Sequence, residues 1–381
     1  MFLVPLTHLN RERETQNAKR SSEFARDGVL RYAIGLMPIH IGILGGGNIS
    51  TTHARAAREI EGVEIAAVYG QNREKADALA SAYGGVVYSD LQSFLTHRPM
   101  EIVAIGSPSG VHAEQGIAAA RCGLHVLVEK PIDVTTERTD ALIQECEHAN
   151  VKLGVFFQDR VKPHIMQLKQ FIEAGKLGKP VLVTARVKWY RTPEYYSGSR
   201  WRGLKSLDGG GALMNQGVHT VDLLLWLMGP VERVYAKAIT AVHRIETEDT
   251  VVATLEFANG AVGTLEAATS AYPGYDRRVE VTGSEGTIIL EHDRVIAADL
   301  RSATDEFSDG GEQDVNASAT SPIVSDVRGH RMVIEDFLGA IRTDGTPRCD
   351  GREGRKSVEL VQAIYESSRT GRPVGVLSAE C

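Results

Sequence analysis

From Ile39 onward the chain alternates short β-branched apolar runs with stretches whose apolar residues recur at helical spacing. The runs are IHIGIL, VEIAAVY, GVVYSD, EIVAIG, LHVLVEK and KLGVFF, and the stretches between them predict helices over 50–60, 73–82, 111–122 and 136–149. Strands that are apolar throughout, rather than at alternate positions, belong to a parallel sheet covered on both faces by its crossover helices. Residues 37–157 therefore read as an α/β Rossmann dinucleotide-binding domain.

Beyond Phe157 the rhythm changes. One helix, PHIMQLKQFIEAG, precedes strand-like runs at PVLVTARVKWY, VERVYAKAI, DTVVATLEFANG, AVGTLEAATS, RRVEVTGSEG and GTIILEH. Consecutive strands joined by Asn-Gly or other Gly-containing turns pair antiparallel, which makes residues 158–381 an α+β domain. Within it GGGALMNQGVHTVDLLLWLMG predicts a helix that has His219 near its start and stops at Gly229. The polar stretch 301–326 reads as an exposed loop, and helices near 328–342 and 353–370 are expected to pack back on the body. Residues 1–36, polar and mixed in charge, read as a disordered extension or an arm on a neighbouring subunit, with Met37 a candidate natural start.

A chain of 381 residues suits two domains. A net charge of −7 provides no basic surface for nucleic acid or anionic membrane, and no apolar run is long enough to span a bilayer. The four cysteines, Cys122, Cys146, Cys349 and Cys381, are scattered without a CxxC spacing, against both a disulfide framework and a metal site. The expectation is a cytoplasmic protein with a small-molecule partner.

The first turn, GILGGGNIS, places Gly45 and Gly47 after strand one, with Asn48 and Ile49 opening the helix and Ser50 where the dinucleotide fingerprint has a third glycine. The amides there suit a pyrophosphate. Strand two ends in Gly70, Gln71, Asn72 and Arg73, without the acid that usually receives the adenosine ribose. Donors in place of a carboxylate lean toward NADP over NAD. Lys130 closes strand five and projects into the ligand crevice, where burial lowers a lysine pKa, so it is the candidate base. His219 and Asp222 are i, i+3 neighbours on one helix, which lets the carboxylate fix the imidazole tautomer and favour its charged form.

IGSPSGVHAEQGIAAARCGLHVLVEKPI, with its Ser-Pro-Ser turn and Glu129-Lys130-Pro131, resembles the Gfo/Idh/MocA family of NAD(P)-dependent oxidoreductases. GVFFQDRVKP, the segment 209–229 and GREGRKSVELVQAIYESSRTGRPV extend the likeness from about Ile39 to Val376. The resemblance implies cofactor contacts from Ser107, Pro108, Ser109, His112, Glu129 and Lys130, and an active-site role for His219. It also implies an open, mostly antiparallel sheet that roofs the cleft and pairs into a homodimer or homotetramer. Many relatives carry Asp four residues before this histidine, where Asn215 stands here; an amide holds a hydroxyl but takes no proton, leaving acid/base work to Lys130 and His219. The implied reaction is hydride transfer at a secondary hydroxyl of a sugar, nucleotide sugar or cyclitol, with Arg160, Trp201, Arg202 and Asn215 positioning the substrate. The UDP-2-acetamido-2-deoxyglucuronate oxidases look similar in this region. A redox-neutral NAD-assisted glycosidase or eliminase, or a cofactor-sensing regulator, are the alternatives.

Overall fold

A computed structural model describes residues 38–302, 307, 319–320 and 326–376. The extension over 1–36 and most of the loop expected over 301–326 lie outside the described residues.

The first sheet is built from β1 (Ile39–Leu44), β2 (Val63–Tyr69), β3 (Val86–Tyr88), β4 (Ile102–Ile105), β5 (His125–Val128) and β6 (Leu153–Val155). Between them run α1 (Asn48–Arg58), α2 (Arg73–Tyr83), α3 (Leu91–Leu95), α4 (His112–Arg121) and α5 (Thr136–His148). The strands are all parallel in the order β3-β2-β1-β4-β5-β6. Strand order reverses between β1 and β4, so the ligand crevice opens where their carboxyl ends turn away at Gly45 and Gly106. The apolar runs are continuous because both faces are covered: Ile102, Val103, Ala104 and Ile105 are all buried.

The second part comprises α6 (Pro163–Glu173), β7 (Pro180–Lys188), α7 (Pro193–Ser197), α8 (Lys205–Asp208), α9 (Val218–Met228), β8 (Val231–Ile239), β9 (Thr250–Phe257) and β10 (Val262–Ala268). β11 (Arg278–Gly283), β12 (Gly286–Glu291), β13 (Arg294–Leu300), α10 (Arg328–Arg342), α11 (Gly351–Thr370) and β14 (Val374–Gly375) complete it. Its eight strands lie in the order β13-β12-β11-β7-β10-β9-β8-β14, antiparallel except for the parallel pair β7–β10. The mostly antiparallel sheet expected from the hairpin turns is thus present. Alternation in β9 turns Val251, Ala253, Leu255 and Phe257 inward and leaves Val252 exposed, beside Tyr235 and Val262 on the same outer face. Strand β13 was not visible in the sequence because it is half-exposed along its length and carries no clean two-residue period.

Both closing helices return to the body. α10 puts Ile334, Phe337, Leu338 and Ile341 into one buried cluster with Ile39, Ile41 and Ile43 of the first sheet and with Phe156 just after β6. α11 reaches the second sheet, where Ser367 Oγ accepts from the Ala236 amide at 2.9 Å. The C-terminal segment therefore braces the two sheets across the cleft.

Candidate active site

The turn after β1 is shaped for close backbone approach. Gly45 sits at φ +132°, and a Cβ on it would run into Ser50 Oγ and the Gly106 carbonyl. Gly47 caps α1 with no side-chain bond to the first-turn amides, and a Cβ there would meet nothing within 4 Å. Gly47 and Asn48 are exposed, Ile49 is half-buried, and Ser50 is fully buried with its hydroxyl unpartnered. An open, uncapped helix N-terminus beside a glycine turn fits a dinucleotide pyrophosphate. At the end of β2, Gly70 abuts Gly46 and Ala76. Gln71 is exposed, Asn72 caps α2 by accepting from the Lys75 amide, and Arg73 donates to both Asp77 oxygens at 2.9 and 3.0 Å.

Two residues expected to touch the cofactor, His112 and Glu129, are buried with polar partners inside the protein. His112 is buried, with Nδ1 2.9 Å from the Pro131 carbonyl and Nε2 2.9 Å from the Ser107 carbonyl, so the ring sits between the β4 turn and the segment after β5 and donates to one of the two. Glu129 is also buried: Oε1 lies 2.9 Å from His53 Nε2 and 3.6 Å from His330 Nε2, and Oε2 accepts from the Lys130 amide. Burial works to raise the Glu129 pKa, but the hydrogen bonds and charges of His330 and His53 outweigh it and hold the carboxyl well below its usual range. The Ser107-Pro108-Ser109 turn does line the crevice end of β4, Ser107 Oγ donating to Gln115 at 2.6 Å. Among the described residues His53, Glu129 and His330 form one group of metal-ligand type, their atoms within 4.8 Å of one another.

Lys130 and Asn215 meet across the cleft. Lys130 Nζ donates to the Asn215 main-chain carbonyl at 3.0 Å. Burial lowers the Lys130 pKa, against the opposing charges of Glu129 and Asp208. His219 lies in the first turn of α9, edge-on to Phe157 at 5.7 Å, with a buried, unpartnered Nδ1. Burial and then the Lys130 charge push His219 down to about 3, so the imidazole is neutral.

The expected pairing of Asp222 with His219 does not form. Both Asp222 oxygens receive Arg160, Nε at 2.9 Å and Nη2 at 2.7 Å, while Arg160 Nη1 donates to Glu353 at 2.8 Å. The planar guanidinium fork matches a carboxylate bidentately, and both partners are 1% exposed. Arg160 is accordingly not free to hold substrate, and Asp222 does not orient the imidazole. Burial pushes the Asp222 carboxyl up to about 6, against the pull of Arg160.

Asn215 belongs to a polar cluster that the sequence did not reveal. Its Nδ2 donates to Asp208, and its Oδ1 accepts from Gln216 Nε2 at 2.8 Å. Gln216 also donates to Tyr195 Oη at 2.8 Å and accepts from Arg191 at 2.7 Å. The cluster stands on a π-helical turn over Ala212–Gly217, where the Asn215 and Gln216 amides both reach the Gly211 carbonyl. The three glycines of 209–211 permit this turn: a Cβ on Gly211 would collide with the Glu248 carbonyl, and one on Gly210 with Tyr365 Oη. Arg202 lies over Tyr195 at 4.2 Å and over Trp201 at 5.3 Å, which places the Trp201-Arg202 pair beside this cluster.

Residues 39–157 match the family description "Oxidoreductase family, NAD-binding Rossmann fold", and residues 165–289 match "GFO/IDH/MocA C-terminal domain". The WlbA dehydrogenase from Bordetella pertussis, solved in complex with NADH and UDP-GlcNAcA, is 33% identical over 90% of this chain and 99% of its own, with a TM-score of 0.82. The chain belongs to the Gfo/Idh/MocA family. It is similar also to D-xylose 1-dehydrogenase (NADP(+)) 2 of Haloferax volcanii, 29% identical over 87% of this chain and 98% of that protein. Inositol 2-dehydrogenase of Rhizobium meliloti is 26% identical over 89% of this chain and 100% of that protein. As a Gfo/Idh/MocA protein it is an NAD(P)-dependent dehydrogenase with an NAD-binding Rossmann fold. Gly45 and Gly47 flank the open N-terminus of α1, and Lys130, at the end of β5, meets the Asn215 carbonyl and acts through its charge on His219. Among the described residues, no helix is long and apolar enough to cross a membrane.

Proposed function

We propose that the protein oxidises a secondary hydroxyl of a nucleotide-linked sugar, and that Lys130 is the proton acceptor. The observation that carries this reading is the Lys130 Nζ contact with the Asn215 carbonyl, which aims the amine into the cleft at the end of β5. A bound nicotinamide supplies the hydride acceptor; the protein supplies position and proton management. Lys130, whose pKa burial lowers, takes the hydroxyl proton as the carbon–hydrogen bond is given up. Asn215 and neutral His219 flank it: the amide holds a hydroxyl, and the imidazole accepts or donates a hydrogen bond without adding charge. Arg202, lying over both Tyr195 and Trp201, forms with Trp201 the wall for the rest of the substrate.

The likeness to a dehydrogenase solved with UDP-GlcNAcA supports a nucleotide-linked sugar acid over a free sugar. NAD is the proposed cofactor, since Arg73 is engaged by Asp77, whose carboxylate would repel a 2′-phosphate; NADP is the second reading, because that exposed pair is weak and exchangeable. The outer face carrying Tyr235, Val252 and Val262 suits a homodimer or homotetramer. Unpaired Cys122, Cys146 and Cys349 suit the cytoplasm. A spectrophotometric screen of free and nucleotide-linked sugars with NAD and NADP in parallel tests this. NADH formation with a nucleotide-linked uronate supports the reading, and turnover restricted to free sugars or pentoses overturns it.

A further inference from the structure

We propose that Asp208 is a positioning residue: it ends a one-way hydrogen-bond chain, Arg191 to Gln216 to Asn215 to Asp208, that orients the Asn215 amide and steadies the segment whose carbonyl holds Lys130. The inference rests on the proposed role of Lys130. Its starting point is polarity. A guanidinium has donors only, so the Arg191 contact at 2.7 Å makes the Gln216 side-chain oxygen the acceptor and turns Nε2 the other way. Nε2 then donates to Asn215 Oδ1 at 2.8 Å, which in turn aims Asn215 Nδ2 at Asp208. The remaining Asp208 oxygen takes the Gly203 amide at 2.7 Å. Reversing either amide would set N–H against N–H, and Arg191 cannot reverse. The chain must therefore end in a group that accepts on both sides, which is a carboxylate.

Asp208 is 1% exposed, a costly place for a carboxylate that nothing required. Burial pushes it up to about 7, against the Gly203 and Asn215 hydrogen bonds, with Glu248 adding to the rise and Arg202 opposing it. Lys130 is a further cationic neighbour, Arg191 stands at the head of the chain, and the phenols of Tyr195, Tyr196 and Tyr365 also feel the Asp208 charge. The negative charge of Asp208 in turn favours the ammonium form of Lys130. Asp208 thus acts on the lysine twice, through the segment it anchors and through its charge.

The test is an exchange of the two side chains. Asp208→Asn leaves one acceptor oxygen for two donors, so one contact fails. The double variant Asp208→Asn/Asn215→Asp restores every bond: Asp at 215 accepts from Gln216 and from the new amide, whose oxygen accepts from Gly203. The single variant should lose roughly tenfold to a hundredfold in kcat with KM little changed, as for loss of a buried charge-assisted hydrogen bond. Because the exchange also alters Asn215, which faces substrate, it is judged by the Lys130 midpoint and not by kcat. A second readout needs no substrate: the pH dependence of Lys130 acylation, followed by peptide mass spectrometry. Its midpoint should fall in the single variant, where the neighbouring anion is gone, and return in the exchange. An unmoved midpoint in the single variant, or a midpoint that does not return in the exchange, overturns the proposal. If the single variant does not fold, Gln216→Leu breaks the same chain at its middle link, and unaltered kcat in it overturns the proposal equally. Absence of turnover on every sugar in wild-type protein counts against the proposed function, while the acylation midpoint still decides the role of Asp208.

Discussion

Arg160 and Asp222, 62 residues apart in sequence, form a bidentate ion pair sealed from solvent at both ends. It joins the turn after β6 to α9, and Glu353 of α11 adds a third element to the same guanidinium. The pair is a structural bolt behind the site. Cutting one partner leaves the other charge buried and alone, at a cost of about 3–5 kcal/mol. Arg160→Ala should therefore lower the denaturation free energy by that amount, read by urea unfolding. A variant with normal stability and a raised substrate KM would return Arg160 to the substrate.

Gly45→Ala tests the cofactor turn. At φ +132° an alanine is strained, and its methyl would meet Ser50 Oγ and the Gly106 carbonyl. The expected result is a rise in the NADH dissociation constant of at least about tenfold, measured by fluorescence titration. Arg73→Ala, which removes only an exposed ion pair, should change NADH affinity by less than about twofold.

The contrast between these two positions shows which parts of the protein can be read from sequence. The glycine turn, its flanking strand and helix, and the continuous apolar strands are local patterns, so the Rossmann half was legible from Ile39 to Phe157. Lys130 was legible because a strand end fixes where its side chain points. Asp222 misled: helical spacing brings it near His219, but a guanidinium from a distant turn competes for the carboxylate and wins with two charge-assisted bonds. The partners of Glu129 and His112, namely His53, His330 and the Pro131 carbonyl, could not be read from the sequence because tertiary packing sets them. Asp208 was missed because the glycines and the π-helical turn between it and Asn215 obey no helical period.

The pH dependence of stability should carry a signature of His219. Its folded pKa of about 3 lies below the ordinary histidine value near 6.5, with burial the largest cause. Between those values the unfolded chain binds a proton that the folded protein does not, so stability present above pH ~6.5 is lost as pH falls toward ~3. His219→Asn should flatten this slope by about 1 kcal/mol per pH unit in denaturation curves taken from pH 6 to 4. An unchanged slope would show that His219 titrates normally and is open to solvent.

Activity should report Lys130 more directly than any other residue. Lys130→Ala removes the amine that burial shifts toward its proton-accepting neutral form and leaves the Asn215 carbonyl without its donor. Loss of a general base costs about a hundredfold to ten-thousandfold in kcat. NADH affinity should stay within about threefold, because the pyrophosphate turn at Gly45 and Gly47 stands on other strands and is untouched. Lys130→Arg should not rescue, since a guanidinium stays protonated at any working pH and accepts nothing. Near-normal turnover in Lys130→Ala with normal cofactor binding would remove the lysine from the reaction. Neutral His219 would then be the remaining base beside the substrate, and the fall in kcat should follow His219→Asn instead.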